Sequence, residues 1–407
     1  MAGRDEEIRA LYSAAARAGS SGYFDYPEVE VRWAFEAGLP DPESFPIADL
    51  GRIAQHVLRE DADEGLQYGG GRHGSIAYGY EGLRDRLSER TAAHEGRSLD
   101  RREVMLVSGG VQGLTLCLQA FLDRGDAIAV EAPSWGLVLG TAKAVGADVV
   151  AIGMDEQGLI PDQLEARLEA LSKAGRRLKL VYTIATFNTP TGICLSEARR
   201  RQLLGLAEKW DFLILEDNVY GDLRYEGETL PTLFSLDRDA RVIKVDSFSK
   251  TLAPALRLGW VSGPADALAA LSAVRGDLGV SQWLARVMSE YLRENLLEPH
   301  IAAVCSRYRA KRDAAVRALR EHCAAFVRFR VPAGGYFLWL ELSPEIDPGR
   351  LRAAAFSRGV VCRPGERFFG DHEDGRAWLR LAFSMVSLSE IERGIAALGA
   401  ALSESRA

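Results

Sequence analysis

Short apolar runs separated by amphipathic stretches dominate the chain between residues 84 and 265. VMLV (104–107), AIAV (127–130), DVVAI (148–152), LKLVYTI (178–184), FLILE (212–216), RVIKV (241–245) and LGWVS (258–262) read as strands. Helical spacing of apolar positions falls between them, over 80–93, 111–122, 136–145, 161–174 and 196–209. Strands with almost no polar face are those covered on both sides by helices. The alternation predicts an α/β fold with a doubly wound, mostly parallel sheet. In such sheets ligands bind outside the strand ends, so the loops that follow the strands should carry the chemistry.

The flanks differ. One amphipathic helix is expected over 5–18, then a coil rich in Gly, Pro and acids, then a helix over 47–60 with Pro46 marking its start. LQYGGGRHGSIAYGYEG (66–82) is a glycine-rich, aromatic loop. After residue 280 come two long helical stretches, 281–296 and 299–322. The runs AFVRFRV and GYFLWLEL then form a hairpin-like pair around Pro332–Gly335. A helix near 349–357, strands GVVC and WLRLAFS (378–384) and a helix over 388–403 complete a smaller α+β unit. The expected division is an N-terminal helix and arm packing with the small domain (1–46), a large domain (47–295) and a small C-terminal domain (296–407).

Composition narrows the function. The 407 residues are 47% hydrophobic and 26% charged, enough apolar material for a sizeable core and too much for a disordered chain. The net charge of −7 gives no global electrostatic reason to bind nucleic acid or anionic lipid, so neither is expected as a partner. Five cysteines lie far apart with no CxxC pair, which reads as scattered reduced thiols, with no metal site. No apolar run reaches the roughly 18 residues of a membrane span. The first 20 residues carry acids and lack a signal-type apolar core, so a cytoplasmic protein is expected. Only seven of the 50 basic residues are Lys, which draws attention to any lysine in a pointed context.

Five motifs carry candidate chemistry. In SFSKTLAPALRLGW (247–260) a strand ends in Ser247, Ser249 and Lys250, with Arg257 seven residues on. That set suits a phosphate, or an imine between the lysine and a carbonyl cofactor; the plain alternative is a solvated loop. In EDNVYGDL (216–223), Asp217 follows an apolar strand and Tyr220 lies three residues on. A carboxylate there is a natural partner for a buried cationic ring nitrogen, or a turn cap. SGGVQGL (108–114) places Gly109, Gly110 and Val111 in a turn between strand and helix, where main-chain amides and the helix dipole favour phosphate. Alone it is more often a tight connection. NTPTG (188–192) follows another strand and by itself is an ordinary Pro-Gly loop. Arg380 sits within the apolar WLRLAFS, where it wants a carboxylate or phosphate, or an internal acid.

In this order the motifs resemble the class I/II aminotransferases, the fold-type I enzymes that use pyridoxal 5′-phosphate (PLP). The resemblance runs from about Trp33 to the end. It looks closest to the branch that holds 2-aminoadipate and kynurenine aminotransferases and the effector domains of MocR-type transcription regulators. It implies that Lys250 forms the internal aldimine and shuttles the α-proton. Gly109, the Gly110 and Val111 amides, Ser247, Ser249 and Arg257 would hold the cofactor phosphate. Asp217 would pair with the pyridine nitrogen, and Tyr220 would hydrogen-bond the phenolic oxygen. Trp135 would stack on the ring, Asn188 and Thr189 would lie beside it, and Arg380 would clamp the substrate α-carboxylate. Gly38 would line the substrate side. Tyr68 would reach the phosphate of a neighbouring subunit, which implies a homodimer.

Two departures from the family pattern stand out. Thr189 precedes Pro190 where the family usually has Asn, with Asn188 displaced by one position. A shorter hydroxyl is expected to weaken the bond to the phenolic oxygen. The 69–78 loop, with Arg72 and His73, looks like an insertion of about six residues; it reads equally as a substrate-recognition loop or a surface loop. The function implied is transamination of an amino acid or amino-acid-like substrate through an external aldimine and a quinonoid. The alternative is elimination, replacement, decarboxylation, oxidation or cyclisation on the same fold. A PLP-binding regulator is the weaker expectation, because the leader is too short for a winged helix.

Overall fold

The computed structural model describes residues 8–13, 16–17, 30–69, 75–370 and 373–406. The segment containing Arg72 and His73 lies outside the described residues. Of the helix expected over 5–18, residues 8–10 and 16–17 are helical and 11–13 are not. Ser13 Oγ accepts from the Ala16 amide at 3.1 Å.

The core begins with β1 (Trp33–Ala34), α1 (Ile47–Glu60) and α2 (Glu81–Glu95). The alternating region follows as β2 (Val104–Val107), α3 (Gly110–Phe121), β3 (Ala127–Ala132), α4 (Gly136–Ala144), β4 (Asp148–Asp155), β5 (Gly158–Leu159), α5 (Pro161–Lys173) and β6 (Leu178–Thr183). It continues with α6 (Glu197–Trp210), β7 (Leu213–Asp217), β8 (Val242–Ser247), β9 (Gly259–Ser262) and α7 (Ala265–Val274). The helix α7 was not expected from the pattern. Its ADALAALSAV run is apolar on nearly every side, so it lacks the polar face that marks a helix in sequence.

These strands form one sheet in the order β2-β9-β8-β7-β6-β3-β4-β5. The five strands from β8 to β4 run parallel. β9 runs antiparallel to both of its neighbours, and β5 closes the other edge antiparallel to β4. Both faces are buried. On β3, Ile128 and Val130 join the cluster that includes Leu114 and Leu118 of α3, while Ala127 and Ala129 join Leu164 of α5 and Leu203 of α6 on the other side. That two-sided burial is why the strands read as unbroken apolar runs.

The chain then passes through α8 (Gln282–Arg293) and the long α9 (Leu297–His322) into β10 (Val327–Phe329), β11 (Phe337–Leu342), α10 (Pro348–Ser357), β12 (Val360–Val361), β13 (Arg363–Pro364), β14 (Trp378–Ala382) and α11 (Ile391–Glu404). An antiparallel sheet forms in the order β10-β11-β14-β13. β1 pairs in parallel with β12, and Trp33 and Phe35 share a core with Tyr308, Leu338 and Ile395. The N-terminal segment is thereby fastened to the C-terminal sheet.

Candidate active site

The parallel strands end on one side, and their following loops converge on a cavity of about 510 Å³. Its walls include Gly110 and Val111 after β2, Trp135 after β3, Thr189 after β6, and Asp217 and Tyr220 at the end of β7. Ser247, Ser249, Lys250 and Arg257 come from the connection between β8 and β9, Gly38 from the segment after β1, and Arg380 from β14. Residues distant in sequence thus meet where the sheet topology puts a ligand.

Lys250 Nζ donates to the Gly38 carbonyl oxygen at 2.7 Å and lies 5.5 Å from the centre of the Tyr220 ring. The Lys250 carbonyl in turn accepts from the Tyr336 hydroxyl. Gly38 is bare for a steric reason: a Cβ there would stand 2.5 Å from Phe337 Cζ.

Asp217 is 2% exposed. Tyr182 Oη donates to its Oδ2 at 2.8 Å and the Val219 amide to its Oδ1 at 3.3 Å. Burial pushes its carboxyl up to about 6, against the pull of these hydrogen bonds and of Lys250. Burial likewise raises the Tyr220 phenol. The Tyr220 ring stands edge-on to Phe337 and Tyr336, at 5.5 and 5.7 Å, which fixes its plane.

Main-chain amides, two serines and an arginine gather at the N-terminus of α3. Gly110 and Val111 open α3, so their amides have no acceptor within the helix. Ser247 Oγ donates to Ser249 Oγ at 2.9 Å. Arg257 adopts the left-handed conformation (φ 46°), and its Nη2 donates to the Ser108 carbonyl at 2.7 Å. Gly109 has φ 81°, and a Cβ there would come within 2.5 Å of Arg257 Nη2. The bare glycine is what lets the guanidinium lie against the helix N-terminus. Gly109 supports this cluster from behind and is not on the cavity wall.

Arg380, also on the cavity wall, is 4% exposed, with its guanidinium carbon 4.2 Å from the centre of the Phe337 ring and 4.9 Å from that of Phe368. It donates to the Glu36 carbonyl. Arg363 of β13 is its cross-strand partner and also lines the cavity.

Asn188 and Thr189 part company. Asn188 Nδ2 donates to buried Glu131 at 2.7 Å, and its Oδ1 accepts from the Thr191 hydroxyl at 2.9 Å. Glu131 also receives Thr183 Oγ1 and the Ile184 amide. The Asn188 amide is therefore spent beneath the loop, and Thr189 faces the cavity. Thr189 Oγ1 is buried beside the Tyr220 phenol, without a contact of hydrogen-bond geometry. Tyr68 is 73% exposed and does not line the cavity of its own chain.

Motif reading passed over Glu36, Tyr182, Arg363 and Phe337. Tyr182 and Phe337 sit inside apolar strands and look like core. Glu36 follows and Arg363 belongs to a two-residue strand, each too short to show a period. Among the described residues, no helix is long and apolar enough to cross a membrane.

The comparisons agree with this geometry. The family model "Aminotransferase class I and II" matches residues 49–398. Aromatic-amino-acid aminotransferase 1 of Thermococcus litoralis is 36% identical over 369 residues, covering 90% of this chain and 87% of that one. The crystal structure of a multiple substrate aminotransferase from Thermococcus profundus superposes with a TM-score of 0.90 at 33% identity, covering 98% of both chains. The kynurenine aminotransferase of Pyrococcus horikoshii, solved with PMP and kynurenine, gives 0.89 at 30% identity over 98% of this chain and 99% of that one. With its motifs gathered around one cavity and this agreement along nearly its whole length, the chain belongs to the aminotransferase class I and II family and is an aminotransferase of the fold-type I architecture.

Proposed function

We propose that the cavity holds pyridoxal 5′-phosphate on Lys250 and that the enzyme moves the amino group of an amino acid to a 2-oxo acid. The observation that carries this reading is the pairing of Lys250 with fully buried Asp217 on the walls of one cavity that also has a helix N-terminus, two serines and an arginine. That donor set fits the cofactor's phosphate, and the buried acid fits its ring nitrogen. Relatives named for aromatic amino acids and kynurenine support an amino-acid substrate.

The bound cofactor supplies an aldehyde that captures amines and a ring that draws off the electron pair released at the substrate Cα. The chain's own groups do the rest. The Gly110 and Val111 amides, Ser247, Ser249 and Arg257 bind and neutralise the phosphate. Asp217 keeps a proton on the ring nitrogen, and Tyr182 and the Val219 amide keep Asp217 in place. Tyr220 and Trp135, both on the cavity wall, would donate to the phenolic oxygen and pack against the ring. Arg380 holds the α-carboxylate as a bidentate partner, which presents the Cα–H bond to Lys250. Lys250 takes that proton as a base and returns it as an acid.

Exposed Leu39 and Val111 on the cavity wall, and the exposed Tyr68 that does not line it, support a homodimer in which Tyr68 serves the partner's phosphate site. The five free cysteines support a cytoplasmic location.

Borohydride reduction of the cofactor-saturated protein, followed by peptide mass spectrometry, tests the reading. A pyridoxyl adduct is expected on Lys250, and Lys250→Ala should lack both the adduct and the yellow colour. Amino acids added to the parent should shift the absorbance to that of the pyridoxamine form. An adduct-free Lys250 overturns the proposal.

A further inference from the structure

Among the described residues, Glu36 is the one acid on the cavity wall besides Asp217. It is 5% exposed and sits at a bend just after β1, and its own carbonyl oxygen receives Arg380. Its Oε2 is buried and has no hydrogen-bond partner. Among the described residues, the cations that act on its carboxylate are Arg363 and Arg380, both on the same wall and paired across β13 and β14. Burial raises the Glu36 carboxyl even against these two guanidinium groups. A buried carboxylate oxygen left without a donor is unfavourable, so the position gains most from a ligand that brings one.

We infer that Glu36 is a specificity residue which accepts a hydrogen bond from a neutral O–H or N–H group on the substrate side chain, as in a phenol or a carboxamide. The inference rests on reading this cavity as the amino-acid site. Three alternatives to a neutral donor fare worse. An apolar side chain leaves Oε2 unmatched. A side-chain carboxylate meets Glu36 as a like charge and must compete with it for Arg363, since Arg380 is taken by the α-carboxylate. A side-chain cation matches Glu36 but stands against two arginines already beside it. A neutral donor satisfies the oxygen and leaves the charges as they are. A buried polar group discriminates well in this way, because the analogue without the donor strands it.

The test uses the cofactor-saturated enzyme and amino-free acids, which occupy the substrate site without reacting. 4-Hydroxyphenylpropionate is compared with phenylpropionate, and glutaramate with glutarate, by isothermal calorimetry. In at least one pair the donor-bearing member should bind about tenfold tighter or more. Glu36→Ala, checked for a parental thermal transition and cofactor absorbance, should erase that preference; Glu36→Gln, which keeps an acceptor oxygen but loses the charge, should retain part of it and also admit glutarate. Equal binding within both pairs of the parent protein overturns the inference without any variant, as does a preference that survives in Glu36→Ala. Amino-group transfer from tyrosine and glutamine is assayed in parallel. Transfer without discrimination sinks the role of Glu36 alone, whereas discrimination without transfer sinks the proposed reaction alone.

Discussion

Lys250 Nζ and the Gly38 carbonyl oxygen stand 2.7 Å apart, so the amine of the central lysine is tied to a segment that begins more than two hundred positions earlier. Position 38 has no room for a side chain, with Phe337 Cζ 2.5 Å and Tyr220 Oη 3.5 Å from where a Cβ would lie. Gly38→Ala must push the segment or the Phe337 ring aside. The stability loss should be modest, about 1–3 kcal/mol. The catalytic loss should be larger, on the order of a hundredfold in kcat/KM, because the misplacement is passed to Lys250. Steady-state kinetics beside a thermal scan checks this, and parental kinetics would remove Gly38 from the account.

The same segment is anchored at Asp41. Its Oδ2 pairs with Lys311 Nζ at 2.7 Å, the Asp41 amide donates to Tyr308 Oη at 2.9 Å, and Lys311 also donates to the Ser384 carbonyl. The Lys311 side chain is 1% exposed and that of Asp41 5%. Asp41→Ala strands a buried ammonium, and urea denaturation should show a loss of about 3 kcal/mol or more. The exposed pair between Arg101 and Asp85 is the control: Asp85→Ala should lose less than about 1 kcal/mol. Equal losses would mean that Asp41 is no anchor.

Asp217 gives the protein a pH signature. Burial lifts its carboxyl to about 6 from an ordinary 3.8. Between those values the folded chain keeps a proton that the unfolded chain has released. The group's stabilising contribution is therefore complete below pH 4 and is lost as pH rises through 6, by about 3 kcal/mol. Asp217→Asn cannot titrate. Unfolding free energies of the cofactor-free protein should move in the variant's favour by about that amount between pH 4 and 7. A difference that stays flat with pH is the contrary result.

Thr189 predicts a spectroscopic shift. Its hydroxyl is buried by Tyr220 without a hydrogen bond, while Asn188 is committed to Glu131. Thr189→Asn places an amide where one is lacking. One added hydrogen bond to the ionised cofactor oxygen is worth about one pKa unit. The visible absorbance titration of the loaded enzyme should move down by roughly that much, and superimposable curves would discard the idea.

Much of this site was legible because it sits where apolar strands stop. Lys250, Asp217 and Gly110 each follow a run whose end is visible in the residue pattern, and only their company made them specific. What stayed hidden shares a different cause. Tyr182 is indistinguishable from core until its hydroxyl is seen on Asp217. Asn188 and Thr189 are neighbours in sequence, yet backbone geometry alone decides which side chain faces Glu131 and which the cavity. Glu36 and Arg363 meet through pairings of two-residue strands, which leave no periodic trace. The helix α7 went unread because burial on several sides erases amphipathic contrast.

The parallel pairing of β1 with β12 bears on how the enzyme comes into being. The residues that roof the lysine emerge from the ribosome early, but the strand that seats them is made near the end of synthesis. A nascent chain can build most of its large sheet and still lack a finished catalytic chamber. Premature termination before residue 360 should thus yield a sheet-containing fragment with no competent site, so that completing the chamber is a late, whole-molecule event.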